Sequence, residues 1–405
     1  MLLIHQAFTS PNEPGGTRHY EFARHCVTHG HSFTVVASDL SYLTGKRIIR
    51  HAGLVSKQDL DGIHVLRAYT YPSLHRSFIW RVFSFLSFMV TSLVAALRAG
   101  PVDLIMVTSP PIFQVVSGWL LAVLCRRPLL LEIRDLWPEF AIDIEVLKNP
   151  VLITLSRWLE RFLYARATHI LVNSPAYLEY LASKGVASEK TTLIPNGVDP
   201  AMFDPSAKGV CFRRERNLDG KFVVTYAGAL GLANDIPTIL RAAGRLREYP
   251  QVHFLLVGDG KEMPRLEALA DQLGLSNVTF TGSRPKTEMP EILAASDAFI
   301  ATLKDIPMFR ATYPNKVFDY MAAGRPTILA IDGVIRQVVE AANGGVFVPP
   351  GDDQALANAV KELEKDRKRA AAMGLAARDY VVKHFDRHQH AKDFKRLVER
   401  LAKER

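Results

Sequence analysis

A short segment in the second half of the chain combines a cation, a carboxylate and the start of a helix. Pro314 favours the first turn of a helix, Lys316 lies in that turn, and Asp319 follows one turn later on the same face. The start of a helix presents unpaired N–H groups and a partial positive charge, to which Lys316 adds a full charge. A carboxylate accepts hydrogen bonds from sugar hydroxyls. This spacing indicates a site for a nucleotide diphosphate and its ribose.

Two glycines after the apolar run Phe222–Ala227 are candidates for contact with the same phosphates. Gly228 and Gly231 lack a Cβ, so the backbone there can approach an anion closely. An ordinary strand-to-helix turn is the alternative explanation. Ser283 and Arg284 follow another apolar run. Arg284 has the chemistry to stack on a nucleotide base or to approach a phosphate, although a surface arginine is equally common.

In the first half of the chain, small and polar residues also follow predicted strands. Gly15 and Gly16 come after the strand Leu2–His5, and Arg18 is close by. Asp135 follows a later apolar run. Ligands of open α/β sheets bind at strand ends, so Asp135 is a candidate for ligand contact, and the alternative is that it only caps a helix. The glycines and Arg18 are candidates for ligand contact for the same reason.

These candidates need elements that bring them together. Short apolar runs alternate with amphipathic helices in both halves, which is typical of parallel strands in doubly wound α/β sheets. We predict domains at residues 1–202 and 203–380, followed by a final helical segment at 381–405. Ligands of such sheets bind at the carboxyl ends of the strands. Two such sheets that face each other would form a cleft.

Composition and missing motifs restrict the function. The 405 residues carry a net charge of +9, with 48% hydrophobic and 22% charged residues, as in ordinary globular proteins. Cys26, Cys125 and Cys211 are too far apart in sequence to form a metal-ligand motif, so a reducing cytosol is the simplest setting. The sequence has no Walker A motif, nucleophile elbow or zinc-ligand set, and no nucleic-acid-binding motif. We therefore expect neither ATP-driven chemistry nor a nucleic-acid partner.

The segment Phe78–Leu97 is the most apolar part of the chain. Arg81 is its one charged residue, and the sixteen uncharged residues after it would form a helix of about 24 Å, which is shorter than a ~30 Å hydrocarbon core. Basic residues flank the segment on both sides, and eight basic residues fall between residues 40 and 100. That excess favours anionic lipid or phosphate as a partner.

Four polar residues of this segment and its flanks fall seven apart and form one narrow stripe: Ser77, Ser84, Thr91 and Arg98. Most of the remaining circumference is apolar. A helix buried in the core and a helix lying at a membrane interface both fit this pattern. On the second interpretation, the candidates for membrane contact are Phe78, Trp80, Arg81 and Phe83.

The run Tyr313–Pro326 resembles the donor-site signature of family 4 glycosyltransferases, which have the GT-B fold. Further segments are similar to that family in order and spacing: Gly15-Gly16, Glu132–Glu139, Ile194–Asp199, Tyr226–Gly231 and Leu256–Gly260. The Glu132–Glu139 run resembles a bacterial branch that builds O-antigen, capsule or colanic-acid type polysaccharides. The resemblance extends over nearly the whole chain.

The resemblance implies an α/β protein of the GT-B type, with two facing Rossmann-like, doubly wound domains and an interdomain cleft. The first domain would bind the acceptor and the second the nucleotide-sugar, and the last helix would cross back to the first domain. The implied reaction is a retaining transfer from a nucleotide-diphospho-sugar, UDP-linked and carrying a hexose or N-acetylhexosamine, to a polyprenyl-diphosphate-linked saccharide. We expect a cytoplasmic protein that associates peripherally with the inner face of the membrane.

The resemblance also implies roles for residues. Catalytic roles are expected for Lys316, Arg310 and Asp135. The donor would be bound by Gly228, Gly231, Ser283, Arg284, Asn315, Lys316 and Asp319. The acceptor or phosphate loop would contain Gly15, Gly16 and Arg18. We expect no cofactor and no metal ion, because cations and backbone dipoles can meet the phosphate charge.

The sequence departs from the family pattern at two places. The first of two acids that the family often carries falls on Ala311, and Asp305 is a candidate replacement. An arginine and a lysine that many relatives place after the glycine turn are Ala229 and Asn234 here. Two alternatives therefore stay open. One is a nucleotide-sugar 2-epimerase of the same fold, and the other is a non-catalytic subunit that binds nucleotide-sugar.

Overall fold

The chain divides into two compact units, each built on its own sheet. The computed structural model describes residues 1–11, 13, 15–41, 45–49, 53–72 and 78–403. The first unit comprises Met1–Pro11, Gly15–Pro195 and Gln389–Arg405, and the second is built chiefly from Asn196–His388. In both units, buried strands alternate along the chain with helices, which makes each unit Rossmann-like.

The described part of the first unit contains an eight-stranded sheet. Its strands are β1 (Leu2–Ile4), β2 (Thr34–Ser38), β3 (Val55–Leu60), β4 (Ile63–Ala68), β5 (Ile105–Ser109), β6 (Leu129–Ile133), β7 (His169–Val172) and β8 (Thr191–Leu193). The spatial order is β3-β4-β2-β1-β5-β6-β7-β8. All neighbours run parallel except β3 and β4, which form an antiparallel hairpin. Asp61 and Gly62 turn that hairpin, both with positive φ.

Helices cover both faces of this sheet. They are α1 (Arg18–Thr28), α2 (Phe78–Leu97), α3 (Ile112–Cys125), α4 (Glu139–Asp143), α5 (Pro150–Arg166) and α6 (Ala176–Ser183). The connections β1-α1-β2 and β4-α2-β5 cross the sheet in opposite directions, so right-handed crossovers put α1 and α2 on opposite faces. On its face, α2 packs against α3, and α3 packs against α5.

The second unit contains a six-stranded parallel sheet. Its strands are β9 (Phe222–Ala227), β10 (Val252–Val257), β11 (Val278–Phe280), β12 (Ala298–Thr302), β13 (Thr327–Ala330) and β14 (Gly345–Phe347). The spatial order is β11-β10-β9-β12-β13-β14. The apolar side chains of successive strand residues enter two separate cores, as Val223 and Val224 illustrate. A sheet buried on both faces explains why its strands are continuous apolar runs.

The helices of the second unit are α7 (Val210–Glu215), α8 (Ile236–Arg245), α9 (Met263–Gln272), α10 (Met289–Ala294), α11 (Asn315–Ala322), α12 (Val334–Ala341), α13 (Asp353–Lys365) and α14 (Arg367–His384). Helix α11 contributes to one core, α8 and α13 contribute to the other, and α14 contributes to both. The last helix, α15 (Arg387–Lys403), lies mostly in the first unit. There Phe394 stacks on Phe22 of α1, with ring centroids 4.5 Å apart.

The boundaries of the units differ from the predicted boundaries at residues 202 and 380. The first unit ends at Pro195 and resumes at Gln389. Two backbone hydrogen bonds explain the shift: Val198 N–H donates to the Phe385 carbonyl (3.0 Å), and Arg387 N–H donates to the Val198 carbonyl (2.9 Å). They hold the residues after Pro195 against the end of α14. Residues 196–202 and 381–388, which were predicted to lie outside the second domain, therefore belong to the second unit.

Candidate functional site

Lys316 lies in the first turn of α11 and reaches the end of β9. Its Nζ donates hydrogen bonds to Tyr226 Oη (2.6 Å) and Asn234 Oδ1 (3.2 Å), and it lies 4.1 Å from the centroid of the Tyr226 ring. Among the described residues, no carboxylate lies within ion-pair distance of Lys316. The amine therefore has neutral partners only. Neither Tyr226 nor Asn234 was predicted as a partner.

The environment of Lys316 disfavours its charge. The side chain is half-buried, and the loss of solvation lowers the pKa of its amine to about 7. Remaining contact with solvent limits this shift. An anion beside Nζ would favour the charged form again, because an opposite charge at close range offsets the lost hydration. The amine is therefore suited to receive an anionic group.

The close packing around Lys316 requires Gly228 to be a glycine. Its φ of +153° is rarely adopted by other residues, and a Cβ there would lie 2.9 Å from Lys316 Nζ. Gly258 is tied to it, because a Cβ on Gly258 would lie 1.9 Å from the Gly228 carbonyl oxygen. Gly231 differs: its φ is not positive, and a Cβ there would meet only Asn234 Nδ2, at 3.8 Å. The close approach of backbone to Lys316 therefore explains Gly228 and not Gly231.

The turns after three neighbouring strands are joined by backbone hydrogen bonds. Gly228 N–H donates to the Val257 carbonyl (2.9 Å), and Gly258 N–H donates to the Gly282 carbonyl (3.0 Å). The predicted residues Ser283 and Arg284 therefore lie at the same edge of the sheet as Gly228. Ser283 is exposed.

Arg284 is partly engaged within the protein. Its Nη1 lies 3.6 Å from Glu288, while its Nε is buried without a hydrogen-bond partner among the described residues. The side chain is therefore held close to the strand ends by a weak, partly exposed ion pair.

Arg310 is exposed and paired. Its Nη2 donates to Asp305 Oδ1 (3.1 Å), and both side chains are more than half exposed. Asp305, the candidate replacement for the acid missing at Ala311, therefore neutralises one of the predicted catalytic cations. Such an exposed pair is weak and exchanges partners easily. Asn315 and Asp319 are half-buried on α11, beside and one turn after Lys316.

A cavity of about 130 Å³, open to solvent, adjoins Gly231 at the start of α8. Two cations line it, Arg265 and Lys304, together with the acids Asp235 and Glu262. Lys304 is exposed, and its backbone N–H donates to the Ala233 carbonyl (3.0 Å). This places Gly231 on the wall of a recess that also contains a cation.

In the first unit, Asp135 lies just after β6, as predicted, and its side chain is exposed. The protein atoms around it remove solvation and raise the pKa of its carboxyl to about 6, while Arg134 opposes that shift. Solvent contact at the side chain limits the effect. Arg134 is held by its backbone N–H, which donates to the Ser109 carbonyl (2.8 Å). Its Nη1 lies 3.4 Å from Nε2 of His5.

Strand β6 also takes part in a cluster of buried ion pairs. Glu132 of β6 accepts a hydrogen bond from Arg18 Nε (3.1 Å) and another from His19 Nε2. Burial alone would raise the pKa of Glu132, but His19, Arg18 and Arg134 lower it to about 2. Burial also lowers the pKa of His19. The carboxylate of Glu132 is therefore ionised and joins the start of α1 to the sheet.

The position of Arg18 corrects its predicted role. Besides Glu132, its Nη1 donates to the Pro195 carbonyl and its Nη2 to the Ile194 carbonyl, both at 2.6 Å. All three guanidinium nitrogens thus bind protein oxygens, and the side chain is 7% exposed. Arg18 is a structural residue of the first unit and not part of a phosphate loop. Sequence could not reveal this, because its partners are more than 100 positions away in the chain.

Gly15 and Gly16 form an exposed turn just before α1. Gly15 has φ +143°, and a Cβ there would lie 3.1 Å from Thr9 Cγ2. Thr9 Oγ1 donates to the Gly16 carbonyl (3.0 Å). The turn is therefore anchored on one side and open to solvent on the other.

The apolar helix α2 buries two residues of its polar stripe, while Arg98 of the stripe is exposed. Ser84 and Thr91 are buried, whereas Trp80 is 41% exposed, Phe83 is 53% exposed and Arg81 is exposed. The side chain of Phe78 lies outside the described residues. Within the described part of the chain, Trp80–Leu97 is the one helix whose length and composition would let it cross a membrane, a property shared by many core helices of soluble proteins.

The described residues contain no group of three or more His, Cys, Asp or Glu side chains that could hold a metal ion. Of the predicted site residues, those around Lys316 lie in the second unit, and Asp135 and the Gly15 turn lie in the first.

Comparison with known proteins identifies both units. Residues 15–197 match the model of a "Glycosyl transferase 4-like domain", and residues 211–380 match that of "Glycosyl transferases group 1". The D-inositol 3-phosphate glycosyltransferase of Stackebrandtia nassauensis is 28% identical over 236 residues, and the match covers 55% of this chain and 52% of that protein. That relative is therefore matched over only about half its length.

Two further proteins are similar over nearly their whole length. WcaI of Escherichia coli K12, described as a colanic acid biosynthesis glycosyl transferase, is 24% identical and matches 97% of this chain and 98% of its own. The crystal structure of Anabaena HepE in complex with UDP and glucose superposes with a TM-score of 0.74 at 20% identity and covers 98% of each chain. This likeness shows the GT-B fold. The two domain models together cover most of the chain, and the protein belongs to the group 1 and 4-like glycosyltransferases.

Proposed function

We propose that the protein transfers a hexose or N-acetylhexosamine from a UDP-linked sugar to a polyprenyl-diphosphate-linked saccharide during surface-polysaccharide synthesis. The observation that carries this proposal is the Lys316 amine, which is held over the Gly228 turn at the start of α11 with neutral partners only. A cation with only neutral partners can pair with the negative charge of a diphosphate. The similarity to WcaI supports a polysaccharide product, and the complex of HepE with UDP supports a uridine donor.

In the proposed reaction, the donor diphosphate takes the place of Tyr226 and Asn234 as the partner of Lys316. The bond between the anomeric carbon and the phosphate oxygen breaks, and a bond to the acceptor hydroxyl oxygen forms on the same face. The acceptor proton passes to the leaving phosphate, so UDP is released and the anomeric configuration is retained. Negative charge grows on that phosphate in the transition state, and Lys316, Arg310 and the start of α11 stabilise it.

The remaining residues bind and orient the two substrates in this proposal. Asp319 accepts hydrogen bonds from the ribose, and Ser283 and Arg284 contact the base. Asp135 contacts the transferred sugar, and the Gly15-Gly16 turn approaches the phosphate or the acceptor. Because cations and backbone N–H groups meet the phosphate charge, transfer requires no metal ion. A lipid-linked acceptor requires the protein to work at the cytoplasmic face of the inner membrane.

A panel of nucleotide-sugars tests the proposal, with nucleoside diphosphate release measured with and without a polyprenyl-diphosphate-linked saccharide. Release that depends on the acceptor, with a retained anomeric configuration by NMR, is expected. Conversion of the donor without an acceptor would instead identify a 2-epimerase, and donor binding without any turnover would identify a non-catalytic subunit. The matched control is Lys361→Ala, because Lys361 also lies over a tyrosine ring, that of Tyr249 at 4.4 Å, in the same unit.

A further inference from the structure

Helix α2 carries large apolar side chains on its solvent side. Phe83, Val90 and Leu97 fall seven residues apart and are 53%, 59% and 56% exposed. Ser84 and Ser92 are fully buried on the opposite side. A surface helix in water shows the reverse arrangement, with polar residues outward. The outer side of α2 is therefore matched to an apolar or interfacial environment.

Helices α3 and α5 extend this surface. Ser117 Oγ of α3 donates to the Met89 carbonyl of α2 (2.7 Å), and Trp119 of α3 packs edge-on against Phe162 of α5, with centroids 4.9 Å apart. The exposed apolar side chains of the two helices are Leu120, Val123, Leu124, Val151, Leu152, Leu155 and Trp158. We call the outer sides of α2, α3 and α5 the three-helix surface. Contiguous apolar patches of this kind on a soluble domain mark interaction sites.

The charges of the three-helix surface have one sign. Helices α2 and α3 contain no acidic residue, and the one acid of α5, Glu160, is fully buried, where it accepts hydrogen bonds from Tyr164 and Tyr180. Exposed arginines lie on the helices and at their ends: Arg81, Arg98, Arg126, Arg161 and Arg166. Arg157 is also exposed, but it is paired with Glu139 of α4 at 2.8 Å. Basic residues around an apolar patch complement an anionic lipid surface.

We propose that the three-helix surface is the membrane-docking face of the first unit and lies in the headgroup region of an anionic bilayer. This rests on the proposed function, which places the enzyme at the inner membrane, and it adds α3 and α5 to the contact predicted for α2. A second copy of the chain is the less suitable occupant, because two identical basic surfaces repel each other. The helices do not span the bilayer, because α2 connects two strands of one sheet and α3 is only about 21 Å long.

Vesicle sedimentation tests the apolar contribution of α3 and α5 separately from α2. Leu124→Ser and Trp158→Ser should each lower the partition onto phosphatidylglycerol-containing vesicles about tenfold. The matched control is Leu375→Ser on α14 of the second unit, which is 54% exposed and should bind as the unaltered protein does. Phosphatidylcholine vesicles should bind the unaltered protein much less.

Vesicle sedimentation also tests the contribution of the exposed arginines. Arg161→Gln should reduce binding to the anionic vesicles about fivefold, and salt should reduce it further. Arg369→Gln, an exposed arginine of the second unit, should leave binding unchanged. Equal binding of all variants, or equal binding to anionic and neutral vesicles, overturns the proposal. Loss of a concentration-dependent dimer in Trp158→Ser, with vesicle binding intact, would assign the surface to self-association instead.

Fluorescence quenching by brominated phospholipids gives a readout on the unaltered protein. Trp158 and Trp80 are 62% and 41% exposed, so brominated anionic vesicles should quench their emission, and Trp158→Phe should remove part of that quenching. Unquenched emission in bound protein overturns the proposal even if the serine variants fail to fold. Vesicle binding without acceptor-dependent transfer would refute the proposed function alone. Transfer to a detergent-solubilised acceptor without vesicle binding would refute the docking face alone.

Discussion

Arg18 of the first unit and Lys316 of the second differ in the partners that the protein provides for their charge. In the first unit, Arg18 is surrounded by Glu132 and two backbone carbonyls, so its charge and every donor nitrogen are satisfied within the protein. In the second unit, Lys316 meets only a phenol and an amide oxygen, and the loss of solvation lowers its pKa to about 7. A cation with an internal counter-ion holds structure together. A cation without one is poised for an anion that arrives with the substrate.

We expect the largest effect from Glu132→Gln, which changes the cluster around Arg18 and leaves the cluster around Lys316 intact. Removing the carboxylate leaves Arg18 buried without its counter-ion, which should lower the free energy of unfolding by about 3 kcal/mol. Urea denaturation followed by tryptophan fluorescence reports this unit specifically, because all four tryptophans lie in it. UDP affinity should stay unchanged. Glu145→Gln, which removes an exposed pair with Lys148, should leave stability as it was, and equal behaviour of the two variants would refute the structural role.

Lys316→Ala should affect turnover and not stability. The loss of charge stabilisation in the transition state should reduce nucleoside diphosphate release about a hundredfold. Thermal unfolding should be unchanged or shifted slightly upward, because a poorly solvated charge has been removed. Lys361→Ala is the control. Near-normal turnover in folded Lys316→Ala would exclude Lys316 from the site.

Asp319→Ala should weaken donor binding about tenfold, since about 1.4 kcal/mol of charge-assisted hydrogen bonding to the ribose is lost. Calorimetric titration with UDP measures this directly. The control is Asp379→Ala, which removes an exposed carboxylate of α14. An affinity for UDP that does not change in Asp319→Ala would contradict the ribose contact.

The smallest expected effect is the pH dependence of donor affinity. The pKa of Lys316 is about 7 without a ligand, and a bound diphosphate should raise it, so donor binding takes up a proton. Affinity for a nucleotide-sugar should therefore fall roughly fivefold between pH 6 and pH 8. Lys316→Arg keeps its charge over this range and should show a flat profile. The same slope in both proteins would assign the titration to another group.

The sequence predicted the strands of the two sheets well where burial produces continuous apolar runs. The apolar run Phe222–Ala227 has the bounds of the observed strand β9. The hairpin of β3 and β4 was not predicted, because β3 lies at the edge of the sheet and contains Lys57, Gln58 and Asp59. Its signal was the Asp61-Gly62 pair. Helix α14 was also missed, since its alanines and basic residues form no clear apolar stripe.

Local patterns located Lys316 at a helix start, but they could not supply its partners. Tyr226 and Asn234 lie 90 and 82 positions earlier, and only the packing of α11 beside β9 brings them together. The serine–threonine stripe of α2 was visible in the sequence, yet periodicity does not tell which side of a helix faces the sheet. Ser84 and Thr91 turned out to be the buried side.

The packing of Phe394 on Phe22 has a consequence for how the protein is synthesised. The core around α1 also contains Ala391, Leu397 and Leu401 of α15, which follow the second unit in the chain. The second unit is nearly complete once residue 388 has emerged. The first unit precedes the second in the chain, but its core is completed only when α15 has followed the second unit. During that interval the apolar face around Phe22 is accessible to chaperones.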